Sequence, residues 1–342
     1  MKAVRIMKPD ELRIVEEPKP ELDRENNVLL RMTAAGICGS DIGIYHGTNA
    51  AATYPRIIGH ENVGVVEAVG DGVTAVSAGD RVIVDQVNAC GKCYACRKGR
   101  PNVCGNLKVR GVHIDGGYRQ WMAVPEEKCY LLPDDISDVD AIMIEPTTIA
   151  IQSCARAELE AEDTLLLIGV GALGSSILKI AGLSCQNIIV ADVVEQKLDE
   201  ALRQGAKWKI NIAKEDIEAR VREITEGYGS TVTIDAACTK DSLLTALKCT
   251  GNAGRVITMG FSVADTTVNQ FLITSKELDV RGSRLQNRKF GEAIALLRAG
   301  KIKLNGTVSH TFWLTDAQKA FDFADSRDPS IRKIALTFDD LD

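Results

Sequence analysis

The chain has 342 residues, of which 45% are hydrophobic and 26% charged, and its formal net charge is −6. This length predicts two domains, or one large one, with enough apolar residues for a proper core. A mildly acidic chain gives no bulk support to nucleic-acid binding, and no apolar run approaches the roughly 18 residues of a membrane helix. We therefore expect neither a nucleic-acid partner nor a membrane partner.

Ten cysteines are the unusual feature of the composition. Four of them lie between residues 90 and 104, and the other six are scattered singly. The first residues lack the apolar run of a secretory signal, so we expect a cytoplasmic protein. In a reducing compartment a tight cysteine cluster is more typical of a metal site than of disulfides.

The predicted elements change character along the chain. Up to about residue 133 short β-type runs alternate with glycine-containing turns, and strands are predicted at 27–32, 63–69 and 81–84. From about residue 164 apolar strands alternate with helices. The predicted strands are 165–168, 187–191, 232–236, 254–259 and 333–338, and the predicted helices are 172–183, 195–204 and 290–299. Apolar strands between helices indicate a parallel sheet covered on both faces.

The cysteine cluster has the spacing C-x2-C-x2-C-x7-C and consists of Cys90, Cys93, Cys96 and Cys104. Four thiolates from one short segment can complete a tetrahedral zinc shell with no open position, which is typical of a structural site. An iron–sulfur cluster is an alternative, although the ferredoxin-like run has a shorter last gap and a following proline. Unligated cysteines are the remaining alternative.

Residues 169–174 read GVGALG and fit the pattern G-x-G-x-x-G directly after the apolar strand 165–168. In that context the pattern is typical of a dinucleotide-binding turn, whose pyrophosphate lies at the N-terminus of the following helix. The candidate cofactor residues are Gly169, Gly171, Ala172, Leu173, Gly174 and Asp192. Asp192 ends the next strand and can bind a ribose diol. Val193 and Val194 follow it, so that no arginine is available for a 2′-phosphate, which favours NAD over NADP. A glycine turn kept only for packing is the alternative.

Several short motifs resemble one known family when they are taken together. Residues 36–41 read GICGSD, residues 59–61 read GHE, and residues 144–146 read IEP. With the cysteine cluster and the turn 169–174 they occur in the order found in the zinc-dependent medium-chain dehydrogenases. The chain is more similar to the polyol, threonine and hexonate branch than to the ethanol branch.

The resemblance implies a second, catalytic zinc bound by Cys38, His60 and either Glu61 or Glu145. A zinc with three protein ligands keeps a position for the substrate oxygen and lowers the pKa of a bound alcohol, which can then lose a hydride to NAD. Ser40 would pass the alcohol proton outward.

The resemblance also shows a departure in the proton relay. Many relatives carry a histidine five residues after the zinc-binding cysteine, where this chain has Gly43. The relay then ends in water, or His46 or Tyr45 substitutes for the missing histidine.

The substrate prediction depends on two further segments. Residues 111–118 read GVHIDGGY and resemble a glycine-rich segment of sugar-acid dehydrogenases, which makes His113 a candidate substrate residue. Residues 282–284 read GSR where the chain returns from the cofactor domain to the catalytic domain, a region that borders the cleft in related enzymes. Arg284 is therefore a second candidate, because a guanidinium can bind a carboxylate in bidentate fashion. We expect oxidation of a secondary alcohol of a hexonate, for example C5 of L-gulonate or L-galactonate. Polyol or threonine oxidation is the alternative, and a zinc-less reductase or a structural protein is a further one.

The resemblance implies an α/β protein with two domains. Residues 1–149 would form a GroES-like β domain, residues 150–282 a Rossmann domain with a doubly wound parallel sheet, and residues 283–342 would return to the first domain. The active site would lie in the cleft between the domains. Members of the family are commonly dimers or tetramers, so we expect a homo-oligomer.

Overall fold

A computed structural model describes residues 1–261, 263, 265–326 and 328–338. The chain divides into two compact units, of which one comprises Met1–Glu145 with Phe290–Asp342 and the other comprises Pro146–Lys289. The unit boundaries therefore fall after residues 145 and 289, whereas the sequence analysis placed domain boundaries after residues 149 and 282. Of the segment predicted to return to the first domain, the described residues from Phe290 onward belong to the first unit.

The strands in chain order are β1 (Lys2–Lys8), β2 (Glu11–Glu16), β3 (Val28–Ile37), β4 (Arg56–Ile57), β5 (Glu61–Val69), β6 (Arg81–Val84), β7 (Val87–Asn88), β8 (Lys108–Val109), β9 (Trp121–Val124), β10 (Cys129–Leu131), β11 (Thr164–Ile168), β12 (Asn187–Asp192), β13 (Trp208–Asn211), β14 (Ser230–Asp235), β15 (Thr250–Thr258), β16 (Asp279–Gly282), β17 (His310–Trp313) and β18 (Ile334–Thr337).

The α-helices are α1 (Gly39–Tyr45), α2 (Tyr94–Arg97), α3 (Asp138–Ala141), α4 (Ile144–Ala157), α5 (Ala172–Ala181), α6 (Glu195–Arg203), α7 (Ile217–Ile224), α8 (Ser242–Cys249), α9 (Gln270–Thr274), α10 (Phe290–Arg298) and α11 (Ala317–Asp325). Short 3-10 helices occur at Pro101–Val103, Glu126–Lys128 and Leu314–Asp316. No described helix has both the length and the apolar character needed to cross a membrane.

The first unit is built around strand β3. A seven-stranded sheet has the order β10-β6-β5-β3-β18-β17, and β9 also pairs with β3. Nearly every residue of β3 is buried, as expected for a central strand with neighbours on both sides. Separate small sheets have the orders β2-β1-β4 and β7-β8. The antiparallel pairing of β3 with β5 and with β18 brings distant segments of the chain together at one end of β3.

The second unit contains a six-stranded parallel sheet with the order β13-β12-β11-β14-β15-β16. Counted from β11, this is the order 3-2-1-4-5-6 of the doubly wound dinucleotide-binding fold, whose ligands bind where the order reverses. That point lies between β11 and β14, next to the glycine-rich turn. On one face the apolar side chains of α7 and α8 pack against β11, β12 and β15.

The predicted elements in both units are confirmed, with small shifts at their ends. The strand predicted at 81–84 has those bounds, while the helix predicted at 172–183 ends at Ala181. β15 begins at Thr250, four residues before the predicted strand, where its register against β14 is irregular. An α/β fold with a parallel Rossmann sheet is confirmed as well.

Candidate zinc and dinucleotide sites

Three of the predicted catalytic ligands converge at one end of β3. Cys38 follows β3 and is the N-cap residue of α1, whereas His60 precedes β5 and Glu61 begins it. In the β3–β5 pair Gly36 lies opposite Glu61, so the register brings the two segments side by side. The thiol, imidazole and carboxylate ligand atoms of Cys38, His60 and Glu61 all lie within 4.8 Å of one another. A thiolate, an imidazole and a carboxylate together form a donor set that suits zinc.

Two glycines are required by the close packing around these ligands. A Cβ atom on Gly36 would lie 1.8 Å from Oε2 of Glu61, so any larger residue would displace this carboxylate. Gly59 has a φ of +97°, and a Cβ there would lie 2.2 Å from the ring of Tyr118. The residue before His60 therefore needs both the left-handed backbone conformation and the small size of glycine.

Asp41 forms a buried ion-pair contact with the imidazole of His60 and was not predicted as a functional residue. Its carboxylate is fully buried and lies 3.4 Å from Nδ1 of His60, while it also accepts hydrogen bonds from the Cys38 N–H at 2.9 Å and the Tyr118 hydroxyl at 3.1 Å. Burial alone would lower the pKa of His60, but the Asp41 charge raises it well above its usual value. A carboxylate at one ring nitrogen leaves the other nitrogen for a metal, which is the usual arrangement of a zinc-bound histidine.

Lys333 forms a buried ion pair with Glu61 and was also missed as a site residue. It precedes β18, where Ile334 lies opposite Ile37, so that its side chain reaches the end of β3 beside Cys38. Its ammonium group contacts both carboxylate oxygens of Glu61, and both side chains are buried. Burial lowers the pKa of Lys333, but the negative charges of Glu61 and Cys38 outweigh this and raise it. A lysine directly before the apolar residues 334–336 is the sequence feature that indicates such a partner.

Glu145, the other candidate carboxylate, lies outside the close ligand group found among the described residues. It is buried near the start of α4 and accepts a hydrogen bond from Nε2 of Gln86. Burial raises the pKa of Glu145 to about 8. Of the two carboxylates left open by the sequence, the geometry therefore favours Glu61 as the direct ligand.

Ser40 lies in the first turn of α1 next to the ligand group. Its hydroxyl oxygen is 3.4 Å from Nε2 of His60. Gly43, which occupies the position of the relay histidine in many relatives, lies in the same helix. Ser40 thus places a hydroxyl group beside the His60 ring nitrogen that does not face Asp41.

The two suggested substitutes for the relay histidine are engaged elsewhere. Nδ1 of His46 lies 2.6 Å from Asp10, and its Nε2 lies 2.8 Å from Asp325. Tyr45 is buried, and its ring packs edge-on against Phe321 at a centroid distance of 5.4 Å. With both imidazole nitrogens held by carboxylates, His46 ties α1 to the β1–β2 turn and to α11.

The four clustered cysteines form a second ligand group. Cys93 Sγ lies 3.5 Å from Cys96 Sγ and 3.8 Å from Cys104 Sγ, and Cys104 Sγ lies 3.4 Å from Cys90 Sγ. All four are free thiols. With zinc–sulfur bonds of about 2.3 Å, the edge of a tetrahedral sulfur shell is about 3.8 Å, so the spacing fits one zinc ion. Backbone N–H groups of Cys96 and Gly105 lower the pKa of Cys93 to about 6, which favours the thiolate.

The glycine-rich turn connects β11 to α5. Gly169 has a φ of +90°, and a Cβ there would meet the backbone nitrogen of Ala237 at 2.8 Å. A Cβ on Gly174 would lie 2.0 Å from the carbonyl oxygen of Gly169. These two glycines therefore allow the tight turn and the close approach of the helix to it.

The N-terminus of α5 offers free N–H groups at this turn. Gly171 is the N-cap residue without a side-chain cap, and the first backbone bond of the helix runs from the Ser175 N–H to the Gly171 carbonyl at 2.8 Å. The N–H groups of Ala172, Leu173 and Gly174 therefore have no acceptor within the helix. No atom lies within 4 Å of a Cβ placed on Gly171, which leaves room for a phosphate.

Asp192 is the last residue of β12, and its carboxylate faces the glycine-rich turn. One oxygen accepts the Val170 N–H at 2.9 Å, and the other accepts the Val194 N–H at 3.0 Å. These bonds fix the carboxylate beside the turn, where the remaining lone pairs can accept hydrogen bonds from a ribose diol.

The two predicted substrate residues have different surroundings. Nδ1 of His113 accepts the Val109 N–H at 3.1 Å within its own turn. The glycines of the same segment pack against the backbone before His60, because a Cβ on Gly116 would lie 2.3 Å from the Gly59 carbonyl oxygen. The segment 111–118 thus packs against the backbone that leads into His60. Arg284 lies in the second unit, with its guanidinium 5.5 Å from the centre of the Phe261 ring.

Comparison with known proteins agrees with this geometry. Residues 24–134 match the alcohol dehydrogenase GroES-like domain, and residues 169–299 match the zinc-binding dehydrogenase family. The chain is 39% identical to the starvation-sensing protein RspB of Escherichia coli K12, covering 99% of both chains. It is 30% identical to sorbitol dehydrogenase of Bacillus subtilis, covering 95% of this chain and 93% of the relative. The crystal structure of RspB from E. coli CFT073 with NADH superposes with a TM-score of 0.93 at 39% identity, covering 99% of each chain.

The chain therefore belongs to the zinc-type medium-chain dehydrogenases, as the sequence motifs predicted. Within that family it is an NAD-dependent, zinc-dependent alcohol oxidoreductase. The cysteine lobe and the Cys38 group fit a structural and a catalytic zinc, respectively.

Proposed function

We propose that the protein oxidises a secondary alcohol of a hexonate, such as the C5 hydroxyl of L-gulonate or L-galactonate, to the ketone with NAD as acceptor. The observation that carries the alcohol chemistry is the convergence of Cys38, His60 and Glu61, with Ser40 at 3.4 Å from His60. A zinc ion held there would act as a Lewis acid on the substrate hydroxyl.

The protein groups around this ligand set have distinct roles. Cys38, His60 and Glu61 would hold the metal, while the Asp41 carboxylate lies 3.4 Å from Nδ1 of His60 and would favour the ring orientation that turns Nε2 toward the metal. Ser40 accepts the hydroxyl proton of the substrate and passes it to solvent. Glu145 remains as a buried carboxyl group held by Gln86.

The cofactor-binding residues are those of the β11–α5 turn. The N–H groups of Ala172, Leu173 and Gly174 would bind the pyrophosphate, and Gly169 and Gly171 would let the backbone come close to it. Asp192 accepts the ribose hydroxyls. Bound NAD supplies the hydride acceptor for the oxidation.

Arg284 supports a sugar-acid substrate rather than a neutral polyol. A guanidinium binds a carboxylate with two parallel hydrogen bonds. Its position over the ring of Phe261 orients the group. We propose Arg284 as the carboxylate-binding residue and His113 as a residue that shapes the substrate segment.

Polyol oxidation is the second candidate, because the chain is 30% identical to a sorbitol dehydrogenase over nearly its whole length. The two candidates differ in the charge of the substrate. The zinc-loaded enzyme is to be tested with NAD against L-gulonate, L-galactonate, hexitols and L-threonine. We expect turnover with a hexonate, at a lower KM than for hexitols. In Arg284→Gln we expect the KM for the hexonate to rise to the level of the KM for hexitols. Turnover of hexitols alone would refute the hexonate proposal.

We expect Ser40→Ala to lower kcat by about a hundredfold or more, which is the usual contribution of a positioned proton-transfer group. The matched control is His46→Ala, which we expect to change kcat less than about threefold because His46 is held between Asp10 and Asp325. Initial rates over a pH series test both variants. Equal effects of the two substitutions would contradict the assignment of Ser40.

We also propose a cytoplasmic homo-oligomer, either a dimer or a tetramer. All ten cysteines are free thiols, which suits a reducing compartment. β16 is an edge strand of the parallel sheet and carries the exposed residue Val280, so that it can pair with another copy. Sedimentation velocity gives the mass in solution, and a monomer at micromolar concentration would refute the oligomer.

A further inference from the structure

A network of charged side chains lies beside Asp192. Glu195, the first residue of α6, accepts hydrogen bonds from Lys209 at 2.6 Å, Lys214 at 2.8 Å and Asn211 at 2.7 Å. Lys209 also contacts Asp199, one turn further along the same helix, at 2.5 Å. Two lysines are thus held on the carboxylates of α6.

The sheet register brings this network to the adenosine end of the cofactor site. β12 and β13 are parallel, and Asp192 lies opposite Asn211 while Val190 lies opposite Lys209. Residues two apart on a strand face the same side, so Lys209 lies on the same face of the sheet as Asp192. The Ile212 N–H donates a hydrogen bond to the Asp192 carbonyl at 3.0 Å. Lys214 therefore lies only two residues after a residue that contacts Asp192 directly.

The network contributes little to the free energy of unfolding. The side chains of Lys214 and Glu195 are 66% and 40% exposed, and exposed ion pairs contribute between 0 and about 1 kcal/mol. The hydrogen bonds from Lys209, Lys214 and Asn211 lower the pKa of Glu195 to about 2, so its charge persists throughout the physiological range. The Glu195 carboxylate therefore holds both lysines throughout the physiological pH range.

We propose that Glu195 is a specificity residue that excludes NADP. Its carboxylate holds Lys209 and Lys214, the two lysines of this network that could otherwise contact a 2′-phosphate. A phosphate ester carries about −1.5 to −2 charges at neutral pH. The Asp192 carboxylate repels it, and the lysines that could offset this repulsion are paired with Glu195. The 2′-hydroxyl of NAD carries no charge and is not penalised.

This role differs from that of Asp192. The Asp192 carboxylate is fixed by the N–H groups of Val170 and Val194 and is placed to bind the ribose hydroxyls themselves. Glu195 acts through the lysines, so its removal changes the preference between two cofactors while leaving the ribose ligand in place. The sequence analysis attributed the preference for NAD over NADP to Asp192 and to the absence of an arginine directly after it.

The test is calorimetric titration of the zinc-loaded protein with NAD⁺ and with NADP⁺, which needs no substrate. In Glu195→Gln we expect the Kd for NADP⁺ to fall about tenfold relative to that for NAD⁺, because Lys214 loses its contact with a carboxylate and Lys209 retains one carboxylate, Asp199, instead of two. The triple variant Glu195→Gln/Lys209→Ala/Lys214→Ala is expected to lose this gain. The gain should also shrink at high salt.

The matched control is Glu218→Gln. Glu218 also pairs with an exposed lysine, Lys248 at 2.9 Å, but it lies on α7, which packs on the opposite face of the sheet. We expect the Glu218→Gln variant to have the same ratio of NAD⁺ affinity to NADP⁺ affinity as the unmodified protein. A ratio within about twofold of the original in Glu195→Gln would overturn the proposal. So would a gain that persists in the triple variant, or a folded Glu195→Gln protein that binds neither cofactor.

Discussion

A Glu61→Gln variant is expected to bind one zinc ion per chain instead of two and to lose at least about a thousandfold in turnover, which corresponds to about 4 kcal/mol of barrier. The physical reason is that Glu61 supplies the carboxylate of the Cys38–His60–Glu61 group, and an amide is a poor substitute for an anionic ligand. The remaining zinc belongs to the cysteine lobe. Elemental analysis of the purified variant and initial rates with NAD measure the two effects.

Glu145→Gln is the matched control, since it removes the other buried carboxyl group of the same region. Glu145 lies outside the close ligand group of the described residues, and its pKa of about 8 indicates a carboxyl group that burial keeps largely protonated at neutral pH. We expect this variant to retain two zinc ions per chain. NAD binding in both variants checks that the second unit is intact. A Glu145→Gln protein with one zinc and a Glu61→Gln protein with two would assign the direct ligand to Glu145.

The parts of the site that could be predicted from the sequence are those whose residues lie close together along the chain. The cysteine lobe and the turn 169–174 each depend on residues close together in the chain, so their spacing already implies their geometry. Cys38 and His60 are distant in sequence and were linked only through the resemblance to a family. Their actual proximity follows from the register of β3 against β5, which no local pattern encodes.

The parts that the sequence missed are contacts made by tertiary structure. Asp41 lies within a motif that was recognised, but its role depends on the 3.4 Å approach to His60 across a strand pair. Lys333 lies 272 residues from Glu61 and reaches it because β18 adds to the sheet next to β3. Conversely, the glycine-rich segment 111–118 has a use that its resemblance did not suggest, since its glycines pack against the turn that carries His60.

Replacing Lys333 with Met is expected to destabilise the zinc-free protein by about 3–5 kcal/mol, because it leaves the buried Glu61 carboxylate without its partner. The loss should be smaller in the zinc-loaded protein, since the metal charge then compensates the same carboxylate. Urea unfolding followed by circular dichroism, with and without bound zinc, measures the difference. Lys8→Met removes an exposed lysine paired with Glu11 and serves as a control with an expected change within about 0.5 kcal/mol.

The double variant Glu61→Gln/Lys333→Met separates the ion pair from the packing of the lysine chain. Losing both charges removes the unpaired buried carboxylate, so the zinc-free double variant should be more stable than Lys333→Met alone. The Lys333 side chain is closely packed, since its Cε would lie 3.0 Å from a Cβ placed on Gly36. Methionine preserves much of the volume of the lysine side chain. A double variant no more stable than Lys333→Met would mean that the lysine stabilises by packing instead of by charge. In that case the Glu61 carboxylate needs no counter-ion. Lys333→Met would then lower the free energy of unfolding by the same amount in the zinc-free and the zinc-loaded protein.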